Sequence, residues 1–285
     1  MLIEMGASRP AVKARVIALA CSGASGSQWR PLAGTLGSGR ALLTPEHSGP
    51  GIAARLAGSS FTLAHEAARC IGLIDASDDS VHLVGHSYGG GVALQAALAR
   101  PDRIASMTLY EPAAFHLLDE LGADGAAGFV EIAAIARRVR DAVSVGEHAG
   151  AAAAFVDYWN GQGAWEKLSE HVRAALTRWA PKAPLEFAAL MNAQTVLEDY
   201  AAFDFPIVVL RGEHAPLPTR VIADALPDAM DCGRVEVIAG AGHMGPMTHA
   251  DAVSARIAAH IMSAEGMPAL QAHTTVRRLI GMDAA

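Results

Sequence analysis

The chain has 285 residues, of which 52% are hydrophobic and 18% charged. A length of this order accommodates one or two domains, and the composition excludes a disordered chain, which requires low hydrophobicity and high charge. Lys and Arg number 22 against 29 Asp and Glu, giving a net charge of −7. This balance argues against nucleic acid or an anionic membrane surface as a partner.

The cysteines and apolar runs indicate a reducing, aqueous compartment. Cys21, Cys70 and Cys232 share no CxxC spacing, so we expect buried free thiols rather than disulfides or a zinc site. No apolar run approaches the roughly 18–20 residues of a membrane helix. The early run 16–20 is shorter than the about 7–15 apolar residues of a secretory signal, and it predicts a buried strand. We therefore expect a cytoplasmic protein.

Short apolar runs bounded by Gly, Pro or Ser alternate with helical patterns, which is typical of α/β architecture. The runs are nearly continuous, as expected for a mostly parallel, doubly wound sheet with helices on both faces. The predicted strands are Arg15–Ala20, Arg40–Thr44, Val81–Gly85, Ile104–Tyr110, Pro206–Arg211 and Arg234–Ile238. The predicted helices are Thr62–Asp75, Ser87–Ala99, Thr219–Ala225 and Ala250–Ser263.

One long segment departs from this alternation. Between about residues 113 and 200 only helical patterns occur, including a helix over Glu131–Val143. Its aromatic residues either fill the core of a helical subdomain or cover a site on the α/β part: Phe155, Tyr158, Trp159, Trp165 and Trp179. We predict an α/β core at 1–112 and 201–265, a helical unit at 113–200, and a tail or oligomer contact at 266–285.

The sharpest local motif is Gly85-His86-Ser87-Tyr88-Gly89, which fits G-x-S-x-G. It lies between a predicted strand and a predicted helix, so the tight turn forces Ser87 into a strained conformation at its tip. The start of the helix adds free N–H groups and a positive dipole beside the serine oxygen. A phosphate-binding loop is disfavoured because the lysine of G-x-x-x-x-G-K-[ST] is absent.

A serine hydroxyl becomes a good nucleophile only when a base takes its proton. Among 12 histidines, His243 is favoured because Gly240-Ala241-Gly242-His243-Met244 follows the last predicted strand. His86 adjoins Ser87 but points away from it on the turn. Three others are expected at the surface or at the edge of the helical unit: His214, His249 and His260.

In this order and spacing, Ser87 and His243 resemble the α/β-hydrolase superfamily, in particular its capped serine hydrolases, from the first strand to about Ser263. The resemblance implies that 113–200 is a helical cap, inserted after the strand that follows the nucleophile elbow, and that no metal or organic cofactor is needed. Leu19-Ala20-Cys21-Ser22 matches the strand that ends in His-Gly-x in the family, although Ala20 and Cys21 replace His-Gly. By that match, backbone N–H groups of Ser22 and Tyr88 form the oxyanion hole.

The family usually carries its acid as Asp in the loop after the penultimate strand, where this chain has Ala215. Two carboxylates are candidates to replace it. Glu111 follows the strand after the elbow helix and is favoured, since residues at the carboxyl ends of strands project into the ligand crevice. Glu213 lies two residues before Ala215 and is the alternative acid. A Ser–His dyad, another acid, or a helix-capping role for Glu111 remains open.

The resemblance implies a serine hydrolase of carboxylesterase type that cleaves a small apolar ester, thioester or lactone through an acyl-enzyme. Ser87 attacks, His243 acts as base and then acid, and Glu111 orients His243. The alternatives are a carbon–carbon bond hydrolase, an acyltransferase, and a non-catalytic ligand-binding protein on a hydrolase scaffold. The expected partner is a small-molecule substrate, and assembly into a homo-oligomer is open.

Overall fold

The computed structural model describes residues 14–49, 51, 61–231 and 233–266. Within these ranges a single six-stranded sheet has the order β2-β1-β3-β4-β5-β6, and every neighbouring pair is parallel. The strands are β1 Ala14–Leu19, β2 Arg40–Leu43, β3 Val81–His86, β4 Ile104–Tyr110, β5 Ile207–Gly212 and β6 Gly233–Ile238. All six predicted strands are confirmed, each to within one residue at either end.

Helices cover both faces of the sheet, which confirms the doubly wound class. On one face, Leu32 of the first helix packs with Val253 and Ile257 of the last. On the opposite face, Ile17 and Leu19 of β1 pack with residues of three other helices, at 63–75, 88–99 and 217–225. Ile17 and Leu19 share this face because side chains alternate along a strand. The α-helices are Arg30–Thr35, Leu63–Asp75, Tyr88–Ala99, Gly122–Ser144, His148–Asn160, Glu170–Trp179, Ala183–Met191, Leu217–Ala225, Gly245–Thr248 and Ala250–Gly266.

The register brings the carboxyl ends of the central strands to one edge. Leu19 pairs with Gly85, Gly85 with Leu109, and Tyr110 with Leu210. The residues that follow β1, β3, β4 and β5 therefore meet at this edge, where ligands of open α/β sheets bind.

The chain between β4 and β5 is described throughout and contains helices but no strand. This confirms a helical cap inserted after the strand that follows the elbow. The predicted helix Glu131–Val143 belongs to a longer helix of 23 residues, Gly122–Ser144. The limits 113 and 200 stay a prediction.

The expected surface position of His260 is wrong. Its side chain is 3% exposed, and Nδ1 lies 2.9 Å from Thr108 Oγ1 on β4. The helix Ala250–Gly266 places His260 on the same buried face as Ile257 and Ile261, because residues three and four apart share a helix face.

Cys21 and Cys70 are buried free thiols, and burial raises the pKa of each to about 12. Cys232 and the predicted tail beyond Gly266 lie outside the described residues. Among the helices of the described ranges, none is long and apolar enough to cross a membrane.

Candidate active site

Ser87 lies on a strained turn between β3 and the helix Tyr88–Ala99. Its φ of 54° and ψ of −118° fall in a region that L-residues rarely adopt. Two glycines make the turn possible: a Cβ on Gly85 would lie 2.6 Å from the carbonyl oxygen of Gly89, and one on Gly89 would lie 2.4 Å from that of Leu19. Ser87 N–H donates to the Tyr110 carbonyl at 3.0 Å, which fixes the turn on the end of β4.

His243 bridges Ser87 and Glu111. Its Nε2 lies 3.0 Å from Ser87 Oγ, and its Nδ1 lies 2.7 Å from Glu111 Oε2. A carboxylate can only accept, so Nδ1 carries the proton and Nε2 is left free to accept from the serine hydroxyl. His243 and Ser87 are 2% and 6% exposed, so the two groups meet where little water competes.

Glu111 is fully buried and also has a positive φ, 41°. Its Oε1 accepts from the backbone N–H of Gly212 at 2.9 Å, and its Oε2 accepts from Thr219 Oγ1 at 2.7 Å as well as from His243. Three donors therefore hold the carboxylate in one orientation. Two come from β5 and the helix after it, near the loop in which the family usually carries its acid.

The structure keeps Glu213 away from His243. Glu213 is exposed, and its Oε2 accepts from the backbone N–H of Gly240 at 2.8 Å, which braces the loop that leads to His243. The candidate acid that the structure brings to the histidine is Glu111.

Among the residues that the structure describes, two backbone N–H groups near Ser87 are without an acceptor. Within the described residues, the N–H groups of Ser22 and Tyr88 have no hydrogen-bond acceptor, and Ser22 lines the same cavity as Ser87. Tyr88 is the first residue of its helix, whose N–H has no partner within the helix. The contact of Gly89 with the carbonyl oxygens of Leu19 and Ala20 shows how closely the end of β1 approaches the elbow.

A buried polar chain holds the loop after β1, where Ala20 and Cys21 replace His-Gly. The N–H of Cys21 donates to Gln28 Oε1 at 3.2 Å, and Gln28 Nε2 donates to His86 Nδ1 at 3.1 Å. His86 Nε2 then donates to the carbonyl of His243 at 2.9 Å. Burial, together with the neighbouring His243, holds the pKa of His86 well below its usual range, so this ring is neutral.

Sequence reasoning missed Gln28 and the structural role of His86. Gln28 lies in a short 3-10 helix, Gly26–Trp29, 58 residues before His86, and no local pattern marks it. His86 is fully buried, and its two ring nitrogens bond to Gln28 and to the His243 carbonyl. On the other side of the loop, His47 Nε2 donates to the Ala20 carbonyl at 2.8 Å.

The cap forms the roof of a cavity of about 890 Å³ whose floor includes Ser22, Ser87 and His243. Of the predicted aromatic residues, Trp159 lies against the His243 ring, with centroids 4.0 Å apart, and Phe155 also lines the cavity. Tyr158 packs against Trp159, with centroids 4.6 Å apart. The aromatic cluster therefore both fills the cap and covers the site.

A sequence profile described as alpha/beta hydrolase fold matches residues 15–250. The chain therefore belongs to the α/β hydrolase family. Solved structures agree on the fold: a hydrolase from Oleispira antarctica has a TM-score of 0.67 at 17% identity, covering 90% of this chain and 92% of that one. A thermophilic esterase from Thermogutta terrifontis has a TM-score of 0.63 at 19% identity, covering 89% and 91%.

Curated relatives are hydrolases that match over short stretches. RutD from Caulobacter vibrioides, provisionally named a carbamate hydrolase, is 36% identical over 88 residues, 30% of this chain and 33% of RutD. A 2-hydroxymuconate semialdehyde hydrolase from Pseudomonas sp. is 28% identical over 116 residues, 40% and 41% of the two chains. A carbendazim hydrolyzing esterase from Nocardioides sp. is 45% identical over 69 residues, 24% and 27%. The matched stretches thus span less than half of these relatives.

Proposed function

We propose that this protein is a serine hydrolase that cleaves a small ester through an acyl-enzyme, with Ser87, His243 and Glu111 as its triad. The observation that carries the proposal is the continuous chain of contacts from Glu111 Oε2 through the His243 ring to Ser87 Oγ, at 2.7 and 3.0 Å. Such a chain gives the serine a base and fixes the tautomer of that base.

The reaction has two halves. Ser87 Oγ bonds to the substrate carbonyl carbon while its proton passes to His243 Nε2, and the N–H groups of Ser22 and Tyr88 receive the negative oxygen. The intermediate collapses to an acyl-enzyme, and His243 gives its proton to the leaving oxygen. Water then attacks the acyl carbon while His243 takes its proton, and His243 returns that proton to Ser87 Oγ as the acid leaves.

The large cavity favours an apolar substrate group. Phe155, Trp159, Val172 and Leu176 line it above Ser87, and Met244 lines it beside His243. Apolar walls favour apolar substrate groups through burial of their surface. The names of the relatives widen the class to carbamate esters, in which the same carbonyl–oxygen bond breaks.

Hydrolysis of short-chain phenyl esters by the wild-type protein and by Ser87→Ala tests the proposal. We expect phenol release by the wild type and a loss of several orders of magnitude in Ser87→Ala. Equal rates, with both proteins folded, would contradict it. Product analysis separates the carbon–carbon hydrolase and acyltransferase alternatives, which differ in bond broken and in acyl acceptor.

A further inference from the structure

A second, much smaller cavity lies beside Ser87. Its volume is about 10 Å³, and its walls include Ser22, Ser87, Trp179 and Glu186. His243 lines the large cavity but not this one. Because the histidine must reach the leaving oxygen to protonate it, the large cavity is the leaving-group side and the small cavity is the acyl side.

The volume restricts the acyl group. About 10 Å³ corresponds to roughly one water-sized group. An acyl group that fits therefore has only one or two non-hydrogen atoms beyond its carbonyl carbon.

Glu186, a buried carboxylate, is one of the residues that line this cavity. The residue is 3% exposed, and its Oε1 accepts from Lys182 Nζ at 3.0 Å and from Trp179 Nε1 at 3.3 Å. Its Oε2 is buried and has no hydrogen-bond partner within the described part of the chain. A buried carboxylate oxygen without a donor is unfavourable, so this atom is suited to a donor that arrives with a ligand.

The surrounding charge favours a donor over an anion. Lys182 Nζ lies 2.8 Å from Glu66 Oε2, so one ammonium group lies between two carboxylates. Although burial alone would lower it, Glu186 and Glu66 hold the pKa of Lys182 above its usual value. The His47 ring also faces this cluster, with Nδ1 3.5 Å from Glu66 Oε2. An acyl group that carries a carboxylate would add a third carboxylate beside Glu66 and Glu186, which is unfavourable.

We infer that Glu186 Oε2 accepts a hydrogen bond from the substrate, and that the preferred acyl group is small and carries an N–H or O–H donor on the first or second atom beyond its carbonyl carbon. The carbamoyl group, H₂N–C(=O)–, is the smallest of this class, and its NH₂ replaces the methyl of an acetyl group without added bulk. The inference rests on the proposed serine hydrolase function and assigns the specificity of its acyl side.

Phenyl carbamate and phenyl acetate, which differ by NH₂ against CH₃, provide the test. The quantity measured is the ratio of their kcat/KM values in the wild type, in Glu186→Gln and in Glu131→Gln. Lys182 and Trp179 both donate to one oxygen of residue 186, so in Glu186→Gln the amide NH₂ takes the place of Oε2 and presents a donor to the substrate. We expect the carbamate-to-acetate ratio to fall about tenfold or more.

Glu131→Gln is the matched control, because Glu131 is a cap carboxylate that accepts from Tyr158 Oη and does not line the small cavity. Its ratio should stay at the wild-type value. An unchanged ratio in folded Glu186→Gln would overturn the inference, since a fixed water and not the substrate would then satisfy Oε2. Phenyl acetate turnover would also overturn it if phenyl carbamate gave neither steady turnover nor a burst of one phenol per enzyme, because a carbamoyl-enzyme that hydrolyses slowly would still release that first phenol.

If Glu186→Gln does not fold, the test uses the wild type alone. The kcat/KM values for phenyl glycolate and phenyl propionate are compared, because these esters differ only by OH against CH₃. A glycolate preference of about tenfold, after correction for the rates with hydroxide, supports the inference, and no preference overturns it. Failure of the proposed function looks different: the wild type would hydrolyse no ester of either pair, and Ser87 would not react with a fluorophosphonate.

Discussion

At the scale of single residues, backbone strain marks the site. Ser87 and Glu111 are the only non-glycine residues with positive φ in the described ranges. Such conformations cost on the order of 1–3 kcal/mol each and persist only where neighbouring contacts hold them. Here the holding contacts are hydrogen bonds from the N–H of Ser87 to the Tyr110 carbonyl and from the N–H of Glu111 to the Leu210 carbonyl. The strain aims both side chains at His243, which supports a catalytic role for the pair.

Glu111→Gln should lower kcat by about 10³–10⁴ while the fold is retained. The amide keeps the size of the carboxylate but loses its charge, so the His243 tautomer is no longer fixed and the imidazolium no longer stabilised. Steady-state kinetics on a phenyl ester, with circular dichroism as a check of folding, measure the effect.

Glu213→Gln is the comparison variant for that prediction. Glu213 is exposed and bonded to the Gly240 N–H, so the exchange should change kcat only slightly. If Glu213→Gln were the damaging change and Glu111→Gln the mild one, the assignment of the acid would be wrong.

At the scale of elements, the loop after β1 is positioned by side chains from distant segments. In place of His-Gly the chain has Ala20-Cys21. Gln28 bonds to Cys21 and His47 to Ala20, and His86 in turn holds Gln28. The same Gln28–His86 chain ends on the carbonyl of His243. One buried network therefore ties Cys21, the residue before the predicted oxyanion donor Ser22, to the backbone of the predicted base.

Gln28→Leu should reduce kcat/KM about 10- to 100-fold. The change removes the acceptor of the Cys21 N–H and the donor to His86, so the neighbouring Ser22 N–H loses its fixed position. Loss of a full oxyanion donor lowers kcat by about 10²–10³, and a displaced donor should cost less. The rate of acyl-enzyme formation at saturating substrate should carry the loss, with a smaller change in KM. Gln162→Leu, at an exposed cap glutamine, is the matched control. Equal activity of the two variants would contradict the prediction that Gln28 positions the loop after β1 for catalysis.

At the scale of the whole molecule, the parallel sheet gathers residues far apart in sequence. The strands and the elbow could be predicted because continuous apolar runs and G-x-S-x-G are local patterns. The choice between Glu111 and Glu213 could not be made locally, since it depends on which carboxylate meets Gly212 N–H, Thr219 and His243 across the sheet. Gln28, Glu186 and the buried His260 were missed for the same reason: their partners are distant or their helix face is decided by tertiary packing.

Buried histidines should make the protein acid-labile. Burial lowers the pKa of His82 and of His260 from 6.5 to about 4. Above pH 6.5 both histidines are mostly neutral in the folded and in the unfolded protein, so their burial does not lower the free energy of unfolding. As the pH falls from about 6.5 towards 4, these histidines become protonated in the unfolded chain but stay neutral in the folded protein. The free energy of unfolding therefore falls by up to about 1.4 kcal/mol per pH unit for each histidine.

Urea unfolding at several pH values between 7 and 4.5 measures this slope. His260→Gln should flatten it, because one of the titrating groups is gone, whatever its effect at pH 7. A free energy of unfolding that stays constant over this range in the wild type would contradict the prediction.

The central claim is that Ser87 is an activated nucleophile. Its most direct test is labelling of the folded protein with a fluorophosphonate at neutral pH, followed by intact mass and peptide mapping, beside Ser87→Ala. We expect one adduct, on the peptide that contains Ser87, and none in Ser87→Ala. No adduct on the folded wild type, or an adduct that persists in Ser87→Ala, would contradict it.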